Sequence, residues 1–133
     1  MRIVIVDDSA TARMFIRRCL EIAGFREAEI IEAENGRQAL ETIRRQRVDL
    51  VLTDLTMPVM DGSTLLKWMK SNPELADTKV LVVSSAGNPA KEKELLELGA
   101  MAVLGKPVSP ARISALLQGL LPPQSEPKGW DDE

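Results

Sequence analysis

Histidine is absent from the 133-residue chain and cysteine occurs once, at Cys19. The first absence excludes Ser-His-Asp and Cys-His catalysis, His-bearing zinc sites and a phosphohistidine acceptor within this sequence. Its chemistry is left to carboxylates, hydroxyls and lysine. A single cysteine excludes an internal disulfide and fits a reducing, cytoplasmic setting; near Phe15, Leu20 and Ile22, Cys19 reads as a small buried hydrophobe. Long apolar runs are also missing. The N-terminal run Ile3-Val4-Ile5-Val6 stops at Asp7-Asp8, too short for a signal peptide or a membrane span, so no membrane insertion is expected. Nor is there an excess of positive charge: 17 Lys and Arg against 20 Asp and Glu give a net charge of −3, which argues against a nucleic-acid-binding face. The Arg44-Arg45-Gln46-Arg47 cluster reads as a solvated helix end beside the negative pole of the helix dipole.

What is present is ordinary globular material, 44% hydrophobic and 28% charged, sized for one domain. Short β-branched runs alternate with segments of helical spacing, the pattern of a doubly wound α/β sheet. Strands are predicted at residues 2–6, 29–33, 49–53, 79–83 and 101–104. The first, third and fourth are nearly continuous Val/Ile/Leu, as central parallel strands buried on both faces should be; the second, with two glutamates, suits an edge. Helices are predicted from 9 to 23, after Asn35 with Gln38 in a capping-box arrangement, from 63 to 71, from 89 to 98, and after Ser109-Pro110. Gly24 and Gly99 are the expected C-terminal stops. The last helix carries Ile113, Leu116, Leu117, Leu120 and Leu121 at i, i+3, i+4, i+7 and i+8. Residues 1–121 are therefore expected to form the domain, and the Pro-rich, acidic residues 122–133 a tail or the start of a linker.

Ligands of open parallel α/β sheets bind beyond the carboxyl ends of the strands. There the first strand ends in Asp7 and Asp8, the third in Asp54, the fourth in Ser84-Ser85 and the fifth in Gly105-Lys106-Pro107. Taken singly, each has a structural reading: a helix cap, a loop start, a solvated lysine. Together they place three carboxylates, a hydroxyl and an ammonium on one edge. Two such charges about 4 Å apart repel by roughly 4 kcal/mol at an effective dielectric near 20, so the cluster calls for a cation. Oxygen-only ligands near solvent suit Mg²⁺, which keeps waters and shares its shell with phosphate oxygens. Lys106 supplies a point charge for the same anion and Ser84 a rotatable donor. The set fits a phosphoryl group bound to, or transferred onto, a carboxylate.

Asp7-Asp8, the run Asp54-Leu55-Thr56-Met57-Pro58-Val59-Met60-Asp61-Gly62, Ser84-Ser85 and Lys106-Pro107, in register, resemble the receiver domain of two-component response regulators, of the stand-alone CheY-like chemotaxis type, over residues 2–121. The resemblance implies strand order 2-1-3-4-5, as in flavodoxin-like folds. It implies that Asp54 accepts a phosphoryl group from a phosphohistidine on a histidine kinase or histidine phosphotransfer protein. Asp7, Asp8, Asp54 and the Thr56 main-chain carbonyl would arrange Mg²⁺, Lys106 would bind the phosphoryl oxygens, and Ser84 would swing toward them. A cis bond before Pro107 is also implied. A downstream protein would read the helix 4, strand 5 and helix 5 face, making the chain a switch rather than a metabolic enzyme. Val103 departs from the pattern, standing where the family carries Tyr or Phe; output is then expected to rest on Ser84, the loop through Ser85, Ala86 and Gly87, and the following helix. Three rival readings are a fragment of a longer regulator, an aspartyl-nucleophile phosphatase and an FMN carrier. The phosphatase would place two acids two apart on one strand end, and the FMN carrier needs an uncharged phosphate loop and aromatic stackers, which 3% aromatics do not supply.

Overall fold

The computed structural model describes residues 1–85 and 88–120. Ala86, Gly87, Leu121 and the predicted tail at 122–133 lie outside the described residues. Five strands, β1 (Arg2–Val6), β2 (Glu29–Ala33), β3 (Leu50–Asp54), β4 (Lys79–Ser84) and β5 (Ala102–Gly105), form one parallel sheet in the order β2-β1-β3-β4-β5. They alternate with α1 (Ala10–Ile22), α2 (Gly36–Arg45), α3 (Gly62–Ser71), α4 (Pro89–Glu97) and α5 (Pro110–Leu117).

Period-two alternation sorts the side chains into two cores. Val4, Val6, Val51, Val80 and Val82 pack with apolar residues of α2, α3 and α4, while Ile3, Ile5, Leu50, Leu52, Leu81 and Val83 pack with α1 and α5. Central β1, β3 and β4 are buried on both faces, and the polar β2 lies at an edge, as its composition requires. Cys19 is buried in the second core beside Ile16 and Leu20, whereas its sequence neighbours Phe15 and Ile22 face outward.

The helix ends follow their capping chemistry. Ser9, Asn35 and Ser109 accept from the main-chain N–H three residues on, and Gly24 and Gly99 follow α1 and α4 with φ of 114° and 112°. At α2 the Gln38 carboxamide reaches back to the N–H of Glu34, one residue before the cap. Three expectations are corrected. α3 starts at Gly62, not residue 63, because the Asp61 carboxylate caps Thr64 N. α5 ends at Leu117 and tightens into a 3-10 turn over Gln118–Leu120, so its apolar stripe is shorter than predicted and Leu116 is exposed. Three strands extend one residue further toward their carboxyl ends than their apolar runs suggest. Leu55 N donates to Val83 O and Lys106 N to Ser84 O, which carries the ladder through Asp54, Ser84 and Gly105. Asp54 and Ser84 are thereby held on strands rather than on loops.

Candidate phosphoryl and cation site

At the carboxyl edge, one carboxylate oxygen from each of Asp7, Asp8 and Asp54 lies within 4.8 Å of the others. Asp7 is buried, Asp54 partly buried and Asp8 exposed, so the cluster opens to solvent on the Asp8 side. β1 and β3 are neighbours, which brings acids from distant parts of the chain together. Lys106, at the end of β5, spans β4: its Nζ lies 3.3 Å from Asp54 Oδ1 and 3.7 Å from Asp7 Oδ2. The Lys106-Pro107 bond is cis.

Each acid is differently held. Asp7 Oδ1 accepts from Ser9 N at 2.9 Å, while the buried Oδ2 accepts no hydrogen bond from the described residues. Asp54 Oδ1 accepts from Leu55 N at 3.0 Å, leaving its second oxygen for other partners. Burial pushes the Asp54 pKa above the usual carboxylate value; the Lys106 ammonium opposes the rise and the Asp7 charge adds to it. Asp8 makes no hydrogen bond or ion pair with any described residue. Hard oxygen donors, a buried Asp7 oxygen that has the Lys106 ion pair but no hydrogen bond among the described residues, and an open solvent side fit a partly hydrated Mg²⁺.

The loop between β3 and α3 passes over this edge. Gly62 N donates to Leu55 O at 2.8 Å, and a Cβ on Gly62 would overlap the Asp54 carbonyl oxygen. Met60 O accepts from Gly36 N, where a Cβ would come within 2.8 Å of that oxygen. Val59 holds a left-handed φ of 69°, uncommon for a β-branched residue. Thr56 lies in this loop, exposed. Ser84 is buried at the end of β4, and Val103 is partly buried on β5; both line a cavity of about 400 Å³ that α4 and Arg112 help to enclose. The structure therefore brings Asp7, Asp8, Asp54 and Lys106 into one cluster and places Ser84 and Val103 beside it.

Two polar groups were not signalled by the sequence. Arg13 of α1 donates from Nη1 to the Asp7 carbonyl oxygen at 2.6 Å and from Nε to Glu32 Oε1 on β2 at 2.7 Å. The arginine bonds hold the Glu32 carboxyl below its usual pKa. Nothing in their spacing distinguishes these residues from a solvated helix face and an edge strand.

The family described as the response regulator receiver domain matches residues 3–118. The chain is similar to the chemotaxis protein CheY of Thermotoga maritima, 37% identical over 113 residues that cover 84% of this chain and 90% of that one. Among solved structures it is similar to CheY4 of Vibrio cholerae, with a TM-score of 0.79 and 31% identity over 90% of this chain and 98% of that one. It is also similar to a chain of the CheX–CheY–BeF3–Mg2+ complex from Borrelia burgdorferi, with a TM-score of 0.77, 26% identity, and 90% and 88% covered.

Proposed function

Since this chain belongs to the response regulator receiver domains, a family of signalling switches rather than classical enzymes, we propose that it accepts a phosphoryl group on Asp54 and so changes its affinity for a partner protein. The observation that carries this reading is the arrangement of Asp54: a partly buried carboxylate at a strand end, 3.3 Å from an ammonium and clustered with two further acids. The phosphodonor is a phosphohistidine on a histidine kinase or histidine phosphotransfer protein. An Asp54 carboxylate oxygen attacks the phosphorus of a phosphohistidine whose second ring nitrogen carries a proton; the O–P bond forms as the N–P bond breaks, and the ring leaves as neutral imidazole with the N–P electron pair. No residue of this chain need move a proton, which agrees with the lack of histidine.

Catalysis is then positioning and charge neutralisation. Lys106 favours the ionised form of Asp54 against the effect of burial and is within reach of phosphoryl oxygens carried on it. Asp7, Asp8, Asp54 and the Thr56 carbonyl would hold Mg²⁺, which when bound offsets the charge of acids and phosphoryl group alike. The Ser84 hydroxyl turns toward the new anion, and the cavity between it, Val103 and α4 gives that movement room. The α4, β5 and α5 face is the surface the partner reads. Residues 1–121 constitute the receiver, and residues 122–133 are a Pro-rich, acidic tail or the start of a linker.

Acetyl phosphate with Mg²⁺ tests the proposal. Intact-mass spectrometry should show one phosphoryl group added to the wild type and none to Asp54→Asn. Equal labelling of the two proteins would refute the assignment.

A further inference from the structure

Asp8 is the exposed acid of the cluster and has no side-chain partner among the described residues, so its direction depends on the main chain that carries it. The peptide group joining Asp7 to Asp8 lies beyond Val6↔Ala33, the last pair of the β1·β2 register. Asp7 N still donates to Ala33 O, but the ladder does not hold the Asp7 carbonyl. Arg13 does, at 2.6 Å. That guanidinium is itself clamped by Glu32 at 2.7 Å, and Glu32 in turn by Arg17 at 3.0 Å. The Arg13 side chain is only 12% exposed, unlike the solvated pairs that contribute little.

We infer that Arg13, clamped by Glu32, is a positioning residue for the cation site: it fixes the plane of the Asp7–Asp8 peptide and so aims Asp8 at Asp7 and Asp54. The inference rests on the reading of these acids as a Mg²⁺ site. Glu32 has a second part in it. A bare guanidinium beside the acids would repel an incoming cation, and the Glu32 carboxylate offsets that charge while adding rigidity.

The sign of the effect separates positioning from simple electrostatics. Removing a positive charge alone would tighten cation binding; removing an anchor loosens it. Mg²⁺ should be titrated calorimetrically into the wild type, Arg13→Met, Arg13→Lys and Arg13→Gln, with thermal melts alongside. Arg13→Met keeps much of the apolar stem and loses the donors. Its Mg²⁺ Kd should rise about tenfold, as expected on losing a group that orients a metal ligand. Its phosphorylation by acetyl phosphate should recover at saturating Mg²⁺, a split that general destabilisation does not produce. Arg13→Lys, which retains a donor and the charge, should regain most of the affinity. An unchanged or tighter Kd in Arg13→Met overturns the inference. Should Arg13→Met not fold, Arg13→Gln, titrated in the same way, decides: it too removes the positive charge, so its Kd should still rise, and an unchanged or tighter value overturns the inference. A wild type that binds no Mg²⁺ overturns the reading of the cluster itself, whereas a wild type that binds normally beside unaltered variants overturns only the role of Arg13.

Discussion

Asp54 is destabilised by its own surroundings. Burial, with Asp7 adding to it, raises its pKa above the ordinary 3.8 although Lys106 opposes the rise. Between those two values the folded chain binds more protons than the unfolded one, so stability falls as pH rises through that window. The cost is fully present above the raised pKa and vanishes as pH drops toward 3.8. Glu32 and Asp61 have the opposite sign: their lowered pKa values give stability that is lost on acidification, but equally in a variant that keeps them. Asp54→Asn should therefore melt higher than wild type near neutrality, with the difference shrinking as pH falls toward 4. Melting curves at several pH values check this, and a constant difference would contradict it. Asp7, Asp8, Asp54, Ser84 and Lys106 could all be placed on one edge from the sequence, because each follows an apolar strand run. Arg13 and Glu32 could not, because their pairing depends on how α1 leans over β2, which no local pattern encodes.

At the scale of elements, the β3–α3 loop and the α4–β5 face set the site's behaviour. Gly62 is needed for lack of room: a Cβ there overlaps the Asp54 carbonyl oxygen, so Gly62→Ala must displace the strand end that carries Asp54. It should cost about 1 to 3 kcal/mol, as overpacking does, and lower the Asp54 phosphorylation rate; Gly119→Ala, with open space around it, should be nearly silent by denaturant titration. On the α4–β5 face, Val103 has one stiff torsion and cannot exchange buried for exposed poses as a longer ring could. Partner affinity should thus depend on Ser84. With beryllofluoride as phosphoryl mimic, Ser84→Ala should lose the affinity difference between the two states, and Val103→Ala should keep it while losing stability through lost packing. The reverse pattern would place the signal on β5. Element types were legible from periodicity and caps, but their ends were less so. Polar Asp54, Ser84 and Gly105 continue the ladder past the apolar runs, and the 3-10 turn after Leu117 hides within an unbroken leucine stripe.

For the whole molecule, parallel strand order is what turns separate motifs into one site. β1 and β3 adjoin, β4 follows, and β5 brings Lys106 across the edge of β4 to both acids. Alternation of strands and helices reveals an α/β sheet, yet the order β2-β1-β3-β4-β5 came from the resemblance carried by the motifs, since many orders satisfy the same alternation. The site and the proposed partner face share β5, so a charge change at Asp54 would bias that surface only through two arrangements of intervening packed elements. All of this presupposes a covalent phosphoryl group on one carboxylate. Borohydride converts an aspartyl phosphate to homoserine, leaving a stable mark at the acceptor. After incubation with Mg²⁺ and a phosphohistidine donor, reduction and peptide mass mapping should find homoserine at position 54 and nowhere else. Homoserine at 7 or 8, or none at all in a protein that has consumed donor phosphate, would contradict Asp54 as the acceptor.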